Sequence, residues 1–274
     1  MRNKVLGFIG AGNMAGSLIG GLLADGWPTD HIWAADIDAQ QSAHLGERFG
    51  IHAVTDNAAV VEQADILILA VKPQVMQQVV RGIAAGVQKK HPLVISVAAG
   101  ITLDALEEWL GGGVAVVRTM PNTPALVRSG ATALLANPQA TTTDRNQAEA
   151  ILRSVGLTVW VEQETLIDTV TALSGSGPAY FFLLMEAMED AAVAMGLDRT
   201  VARLLTQQTA LGAAKVALES DETPAELRRR VTSPGGTTEQ AIKMFENKEL
   251  SSIVLEAMQA AGQRSDELSR ILRS

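Results

Sequence analysis

The chain has 274 residues and a formal net charge of −8, with 47% apolar and 19% charged residues. Such a composition buries a core and excludes a disordered chain, and the acidic balance argues against a nucleic-acid partner, whose phosphates are held by Lys and Arg. The absence of cysteine removes disulfides and thiolate chemistry, and His31, His44, His52 and His91 lack zinc-ligand spacing, so no metal site is expected.

Met1-Arg2-Asn3-Lys4 followed by apolar residues imitates a secretory leader, but glycines at 7, 10 and 12 interrupt the run. No apolar stretch of about 18 residues occurs, so no membrane span is expected. A cytoplasmic protein is the resulting expectation. In the first half, Val5–Ile9, Ile32–Ala35, Ile51–Val54, Ile66–Val71, Leu93–Val97 and Val114–Arg118 read as strands. Met14–Ala24, Ala39–Arg48, Val75–Val87 and Leu103–Leu110 read as helices. The continuous run Ile66–Val71 fits a strand buried on both faces. Strand–helix alternation then predicts an α/β fold with a Rossmann-type, doubly wound parallel sheet. Ala131–Ala136 and Leu157–Val161 add two strands around a helix from about Asp144 to Ser154.

After Glu162 strand patterns stop. Helices are predicted over Thr165–Leu173, Pro178–Met195, Thr200–Glu219, Ala225–Val231, Thr238–Phe245 and Leu250–Ile271. The expected domains are therefore 1–163, built on the sheet, and 164–274, helical; the motif described next makes the first of them dinucleotide-binding. Long apolar helix faces with no sheet to cover them predict self-association through the second domain.

Gly10-Ala11-Gly12-Asn13-Met14-Ala15 lies between the first strand and the first helix. This is G-x-G-x-x-A, a form of the dinucleotide fingerprint. Gly10 would permit the turn, Gly12 would admit the pyrophosphate, and the helix N-terminus would offer N–H groups to it. Asp36, at the end of the second strand, reads either as a ligand of the adenosine ribose or as a cap of the next helix. With Asp38 beside it and Arg48 the next cation, a 2′-phosphate is disfavoured and NADH relatively favoured. Lys72, at a strand end, reads either as facing the cofactor or as a solvated lysine before Pro73. Val97-Ala98-Ala99-Gly100 closes another strand with small residues that suit either a nicotinamide or a plain turn.

A second anion loop is Ser233-Pro234-Gly235-Gly236-Thr237-Thr238, ahead of a helix. Thr237 and Gln240 have capping-box spacing, which would leave Thr238 free. An elaborate helix cap is the alternative. Thr119–Pro124 and the loop Ser174–Pro178 are candidates for a cleft. No His follows residue 163, and Ser174–Leu197 has no Lys. A ketone needs a positioned acid. A cyclic imine has a basic nitrogen, so it can enter protonated and accept hydride at the C=N carbon without one.

These motifs resemble the pyrroline-5-carboxylate reductase family along the whole chain. The similarity rests on Gly7–Met14, Ala70–Pro73, Ala98–Thr102, Met120–Pro124, Leu173–Tyr180, Pro224–Leu227 and Val231–Thr238. It implies NAD(P)H-dependent reduction of Δ1-pyrroline-5-carboxylate to proline in the cytoplasm, by a dimer with interlocked helices and often a decamer. It implies that Ser233–Thr238 binds the substrate carboxylate and that Thr238 lies near the ring nitrogen. The dinucleotide-binding residues expected are Ile9, Gly10, Ala11, Gly12, Asn13, Met14, Asp36, Asn57, Ala70, Val71, Lys72, Val97, Ala98, Ala99 and Asn122. Those for the substrate are Ser174, Gly175, Ser233, Gly235, Gly236, Thr237 and Thr238, with Thr238 and Ser233 catalytic. NADPH-favouring members carry Ser or Thr with a basic neighbour after the second strand; Ala35-Asp36-Ile37-Asp38 departs from that, so use of both cofactors is expected. Two rivals differ in class: a β-hydroxyacid dehydrogenase, which would place a Lys within Ser174–Leu197, and a dinucleotide-binding protein without turnover.

Overall fold

A computed structural model describes residues 2–273. Eight strands form one sheet in the order β3-β2-β1-β4-β5-β6-β7-β8. They are β1 Leu6–Ile9, β2 Ile32–Ala35, β3 His52–Val54, β4 Ile66–Leu69, β5 Leu93–Ser96, β6 Val116–Met120, β7 Gly130–Ala136 and β8 Gly156–Trp160. Helices α1 Asn13–Ala24, α2 Ala39–Phe49, α3 Asn57–Gln63, α4 Pro73–Lys90, α5 Leu103–Leu110 and α6 Thr142–Arg153 connect the strands. All side chains of β1, β4 and β5 are buried, as expected of strands covered on both faces. Two apolar layers flank the sheet, one built on Leu67, Met76 and Leu106, the other on Phe8, Leu18 and Ile151.

The expectation of a wholly parallel sheet is corrected at one pair. β6 and β7 run antiparallel, with Arg118 opposite Leu135. Their connection, Pro121–Ser129, is shorter than the dozen or so residues that a parallel crossover needs. It holds only a 3-10 turn, Thr123–Val127. Helix α3 escaped the sequence reading because it has only two buried residues, Val60 and Val61. Its start was nonetheless encoded: Asp56 accepts a hydrogen bond from the Ala58 N–H at 2.9 Å.

Beyond β8 the chain forms α7 Glu164–Val170, a π-helical turn Thr171–Gly175, then α8 Gly177–Ala194, α9 Arg199–Glu219, α10 Pro224–Arg230, α11 Thr237–Asn247 and α12 Leu250–Arg273. The expected loop over Ser174–Pro178 is thus a helical turn running into α8. Packing divides the chain into one compact unit of Met1–Ser176 with Ala261–Ser274, and another of Gly177–Ala260. Strand patterns end near residue 163, as expected, yet α7 stays with the sheet. Ile167 is fully buried in the sheet's core, and the Asp168 carboxylate accepts from the Ser265 hydroxyl of α12 at 2.7 Å. Leu272 packs on the same core. No helix among the described residues is long and apolar enough to cross a membrane.

Candidate functional site

β1 lies between β2 and β4, so the chain leaves β1 at the point where strand order reverses. Open α/β sheets bind ligands outside the strand ends at such a point. A cleft of about 680 Å³ opens there, lined by Gly10, Gly12, Asp36, Asn57, Ala70, Val71 and Lys72 among others, a size suited to a small-molecule ligand. The remaining expected dinucleotide residues are placed as follows. Ile9 is fully buried in β1. Ala11 and Asn13 line an adjoining groove of about 520 Å³. Met14 packs partly against the core. Ala98 is buried after β5, Val97 packs partly on the core beside it, and Ala99 is exposed and faces a third cavity with Pro73 and Gly100.

The glycine loop leaves open space and free backbone N–H groups at the start of α1. Gly10 has φ +104°, and a Cβ there would stand 2.7 Å from the Ala70 carbonyl oxygen. At Gly12 a Cβ would meet nothing within 4 Å, so what that glycine leaves free is space for a ligand. Gly12 is also the N-cap of α1, and no side chain caps the helix or places an acid in its first turn. The first-turn N–H groups, which a helix cannot satisfy internally, are thereby left to an anion.

Around this cleft the charges are uneven. Asp36, Asp38 and Asp56 line it, with Lys72 as the cation, whose amine makes no ion pair among the described residues. Asp38, rather than Asp36, caps α2, accepting from the Gln40 and Gln41 N–H groups. Arg48 lies in the adjoining groove with its guanidinium 4.7 Å over the Phe49 ring.

Asn122 lies outside the cleft lining. Its carbonyl oxygen accepts from Ala131 N–H at 2.9 Å, and its amide donates to the Ser174 carbonyl at 3.0 Å. Both ends of the side chain are therefore spent on the scaffold. Ser174 donates its hydroxyl to the Val170 carbonyl, and a Cβ at Gly175 would sit 2.6 Å from Met120 Cε, the end of a flexible side chain that could shift to admit it.

In the helical unit, the turn Ser233–Gly236 is closed by a 3.0 Å bond from the Gly236 N–H to the Ser233 carbonyl. Gly235 takes φ +71°, a conformation that side chains disfavour. The expected capping box at Thr237 is absent. The N-cap is Gly236, without a side-chain bond, and Thr237 is the first helical residue of α11. Glu239 reaches back instead, accepting from the Gly235 N–H at 2.9 Å. The hydroxyls of Ser233, Thr237 and Thr238 have no hydrogen-bond partner among the described residues, and all three residues are exposed. An uncapped helix start, a tight glycine turn and three hydroxyls without partners among the described residues thus come together at the start of α11, features of the kind that suit an anion.

The Gly235 N–H, and next Lys243, hold the Glu239 carboxyl below the usual carboxylate range. A depressed folded-state value means that its contribution is present above the unfolded carboxylate's range and lost as pH falls through the depressed one. In an NMR titration the Glu239 carboxyl carbon and the Gly235 amide are expected to shift together at that lower pH. A Gly235 amide that ignores the titration would remove this link.

Sheet, switch-point cleft and glycine loop define a dinucleotide-binding oxidoreductase of Rossmann type with a helical second unit. Residues 164–268 match the family model described as pyrroline-5-carboxylate reductase dimerisation, and residues 5–100 match NADP oxidoreductase, coenzyme F420-dependent. The chain is 53% identical over 272 residues to a pyrroline-5-carboxylate reductase of Pseudomonas aeruginosa, covering 99% of each. A solved pyrroline-5-carboxylate reductase of Coxiella burnetii superposes with a TM-score of 0.93 at 44% identity, over 97% of this chain and 98% of that one. A pyrroline carboxylate reductase of Plasmodium falciparum, solved with NADP bound, gives 0.86 at 29% identity, over 98% and 99%. The chain belongs to the pyrroline-5-carboxylate reductase family.

Proposed function

We propose that this protein reduces Δ1-pyrroline-5-carboxylate to L-proline, the last step of proline biosynthesis, in the cytoplasm. The observation that carries this reading is the uncapped start of α11 with the unpartnered hydroxyls of Ser233, Thr237 and Thr238. It provides for a substrate carboxylate separately from the glycine loop that provides for a pyrophosphate. The reduced nicotinamide supplies a hydride to the C=N carbon. Gly10, Gly12 and the first turn of α1 hold the dinucleotide's phosphates, Asp36 takes the adenosine ribose, and Asn57, Ala70, Val71 and Lys72 border it. The N–H groups of Gly235, Gly236 and Thr237 orient the carboxylate. Ser233 and Thr238 direct their hydroxyls to the substrate, Thr238 toward the ring nitrogen. Because that nitrogen is basic and enters protonated, positioning supplies much of the rate and no strong acid is required.

The acids around the cleft disfavour a 2′-phosphate, so NADH is used in preference while NADPH is accepted, in keeping with the NADP-bound relative. The helical unit leaves Phe181, Phe182, Leu204, Leu205 and Leu211 more than half exposed. Large apolar side chains exposed in such number suit an association face, and a dimer, assembled further into a decamer, buries them; sedimentation as a monomer at micromolar concentration would count against this.

The assignment is tested by following NADH and NADPH absorbance with pyrroline-5-carboxylate and identifying proline as product. Faster loss of NADH is expected. Absence of turnover with either cofactor, despite binding, would overturn it. For Thr238→Ala, kcat is expected to fall about tenfold to a hundredfold with dinucleotide affinity unchanged, the loss of one hydrogen bond made in the transition state. A lowered thermal midpoint with kcat intact would assign Thr238 to the helix instead.

A further inference from the structure

The Asp36 carboxylate is already engaged before any ligand arrives. Its Oδ2 accepts from the Ala11 N–H at 2.8 Å, and its Oδ1 accepts from the Asp38 N–H at 3.0 Å. The preceding residue adds a second tie to the glycine loop: the Ala35 carbonyl accepts from the Gly10 N–H at 2.7 Å. Asp36 is itself anchored to β3 through its own N–H on the Val54 carbonyl at 3.3 Å. The first two N–H groups of the loop, at Gly10 and Ala11, are thus tied to the end of β2, and one tie is a charged side chain. Among the described residues no other side chain accepts from the loop's N–H groups, and α1 has no side-chain capping bond.

We propose that Asp36 is the clamp of the glycine loop as well as the acid that faces the adenosine ribose, so that the loop's phosphate-binding shape depends on this carboxylate. The inference rests on the dinucleotide reading above and deepens it. A carboxylate has about four acceptor positions. Two hold backbone here, and two remain for ribose hydroxyls. The two duties share one side chain. Replacing it to admit a 2′-phosphate therefore also releases Ala11, and affinity is lost for every ligand that places a pyrophosphate on the loop. A charged hydrogen bond is among the stronger ones a loop can use, so the loss is not a small correction to cofactor choice.

The test separates the duties with an NADH analogue whose adenosine ribose is 2′,3′-dideoxy and offers Asp36 nothing to bind. Calorimetry with Asp36→Ala is expected to show about a tenfold loss of affinity for this analogue relative to the unsubstituted protein. Asp36→Asn, which keeps one oxygen acceptor for Ala11, should restore most of it. In the unliganded protein, hydrogen exchange at the Ala11 amide should accelerate about tenfold or more in Asp36→Ala and much less in Asp36→Asn. Unchanged analogue affinity and unchanged Ala11 exchange would overturn the clamp and leave Asp36 a reader of ribose alone. If the unsubstituted protein bound no dinucleotide, the functional reading would fail, while Ala11 exchange would still decide whether the clamp exists.

Discussion

Gly12→Val is expected to lower dinucleotide affinity about a hundredfold or more, close to 3 kcal/mol, while the thermal midpoint stays near that of the unsubstituted protein. Gly12 has φ −77°, a value open to any residue, and a Cβ there touches nothing within 4 Å. The added methyls therefore strain neither the loop nor α1. They occupy the space through which a pyrophosphate must approach the first N–H groups of the helix. Gly10→Ala should behave in the opposite way. Its φ of +104° and a Cβ 2.7 Å from the Ala70 oxygen force the loop off β4. Such left-handed strain costs about 1–3 kcal/mol before any clash, so this variant loses stability and binding together. Calorimetry and thermal unfolding on the pair decide the matter. A Gly12→Val protein that melts early but binds normally would show that this glycine serves the fold.

Glu164→Ala is expected to destabilise the sheet-containing unit by about 3 kcal/mol or more. The Arg118 side chain is only 3% exposed and pairs with Glu164, and its Nε has no hydrogen-bond partner among the described residues. Glu164 also accepts from the Leu103 N–H at 3.3 Å. Removing this carboxylate strands a guanidinium inside β6 and leaves the Leu103 N–H without its acceptor, while Thr102 still caps α5. At about 2–4 °C per kcal/mol for a unit of this size, the midpoint should fall by roughly 6–12 °C. Replacing the pair together, Arg118→Met with Glu164→Leu, should recover most of the loss, because an apolar pair of similar volume avoids the desolvation that the ions suffer. Equal midpoints for Glu164→Ala and the double variant would show that the ion pair is not the origin of the effect.

The same pair explains where the sequence could and could not be read. Strands with unbroken apolar runs, such as Ile66–Leu69, and helices with apolar periodicity, such as Leu103–Leu110, fall where expected. β6 was expected over Val114–Arg118. It continues to Met120, since the compensating carboxylate lies 46 residues further on and no local pattern announces it. The antiparallel turn of β7 was implicit in the short Pro121–Ser129 connection. At the glycine loop the fingerprint is local, so its position between β1 and α1 was legible in the residues. The clamp from Asp36 to Ala11 spans 25 residues and was not, although the carboxylate itself had been singled out. At Thr237 the local rule misled: capping-box spacing was present, but Gly236 became the cap and Glu239 took the free N–H. A spacing rule sees which groups are in reach and not which of several donors the turn presents. The substrate's identity came from a resemblance in whole motifs, because spacing alone yields an anion site without naming the anion.

The order of residues along the chain also sets an order in time. The unit that carries the glycine loop takes its first segment from before residue 177 and its last from after residue 260, with Leu272 on its core and Ser265 bonded to Asp168. During translation the ribosome makes every helix from α8 to α11 before the segment that finishes the earlier unit. Domains made first usually fold first. Here the sheet-forming segments leave the ribosome well before Leu268 and Leu272, which lie against the Gly100 turn in the folded protein. A nascent chain arrested before residue 261 would thus hold an assembled sheet with an open seam, the state in which a chaperone finds apolar surface to grip.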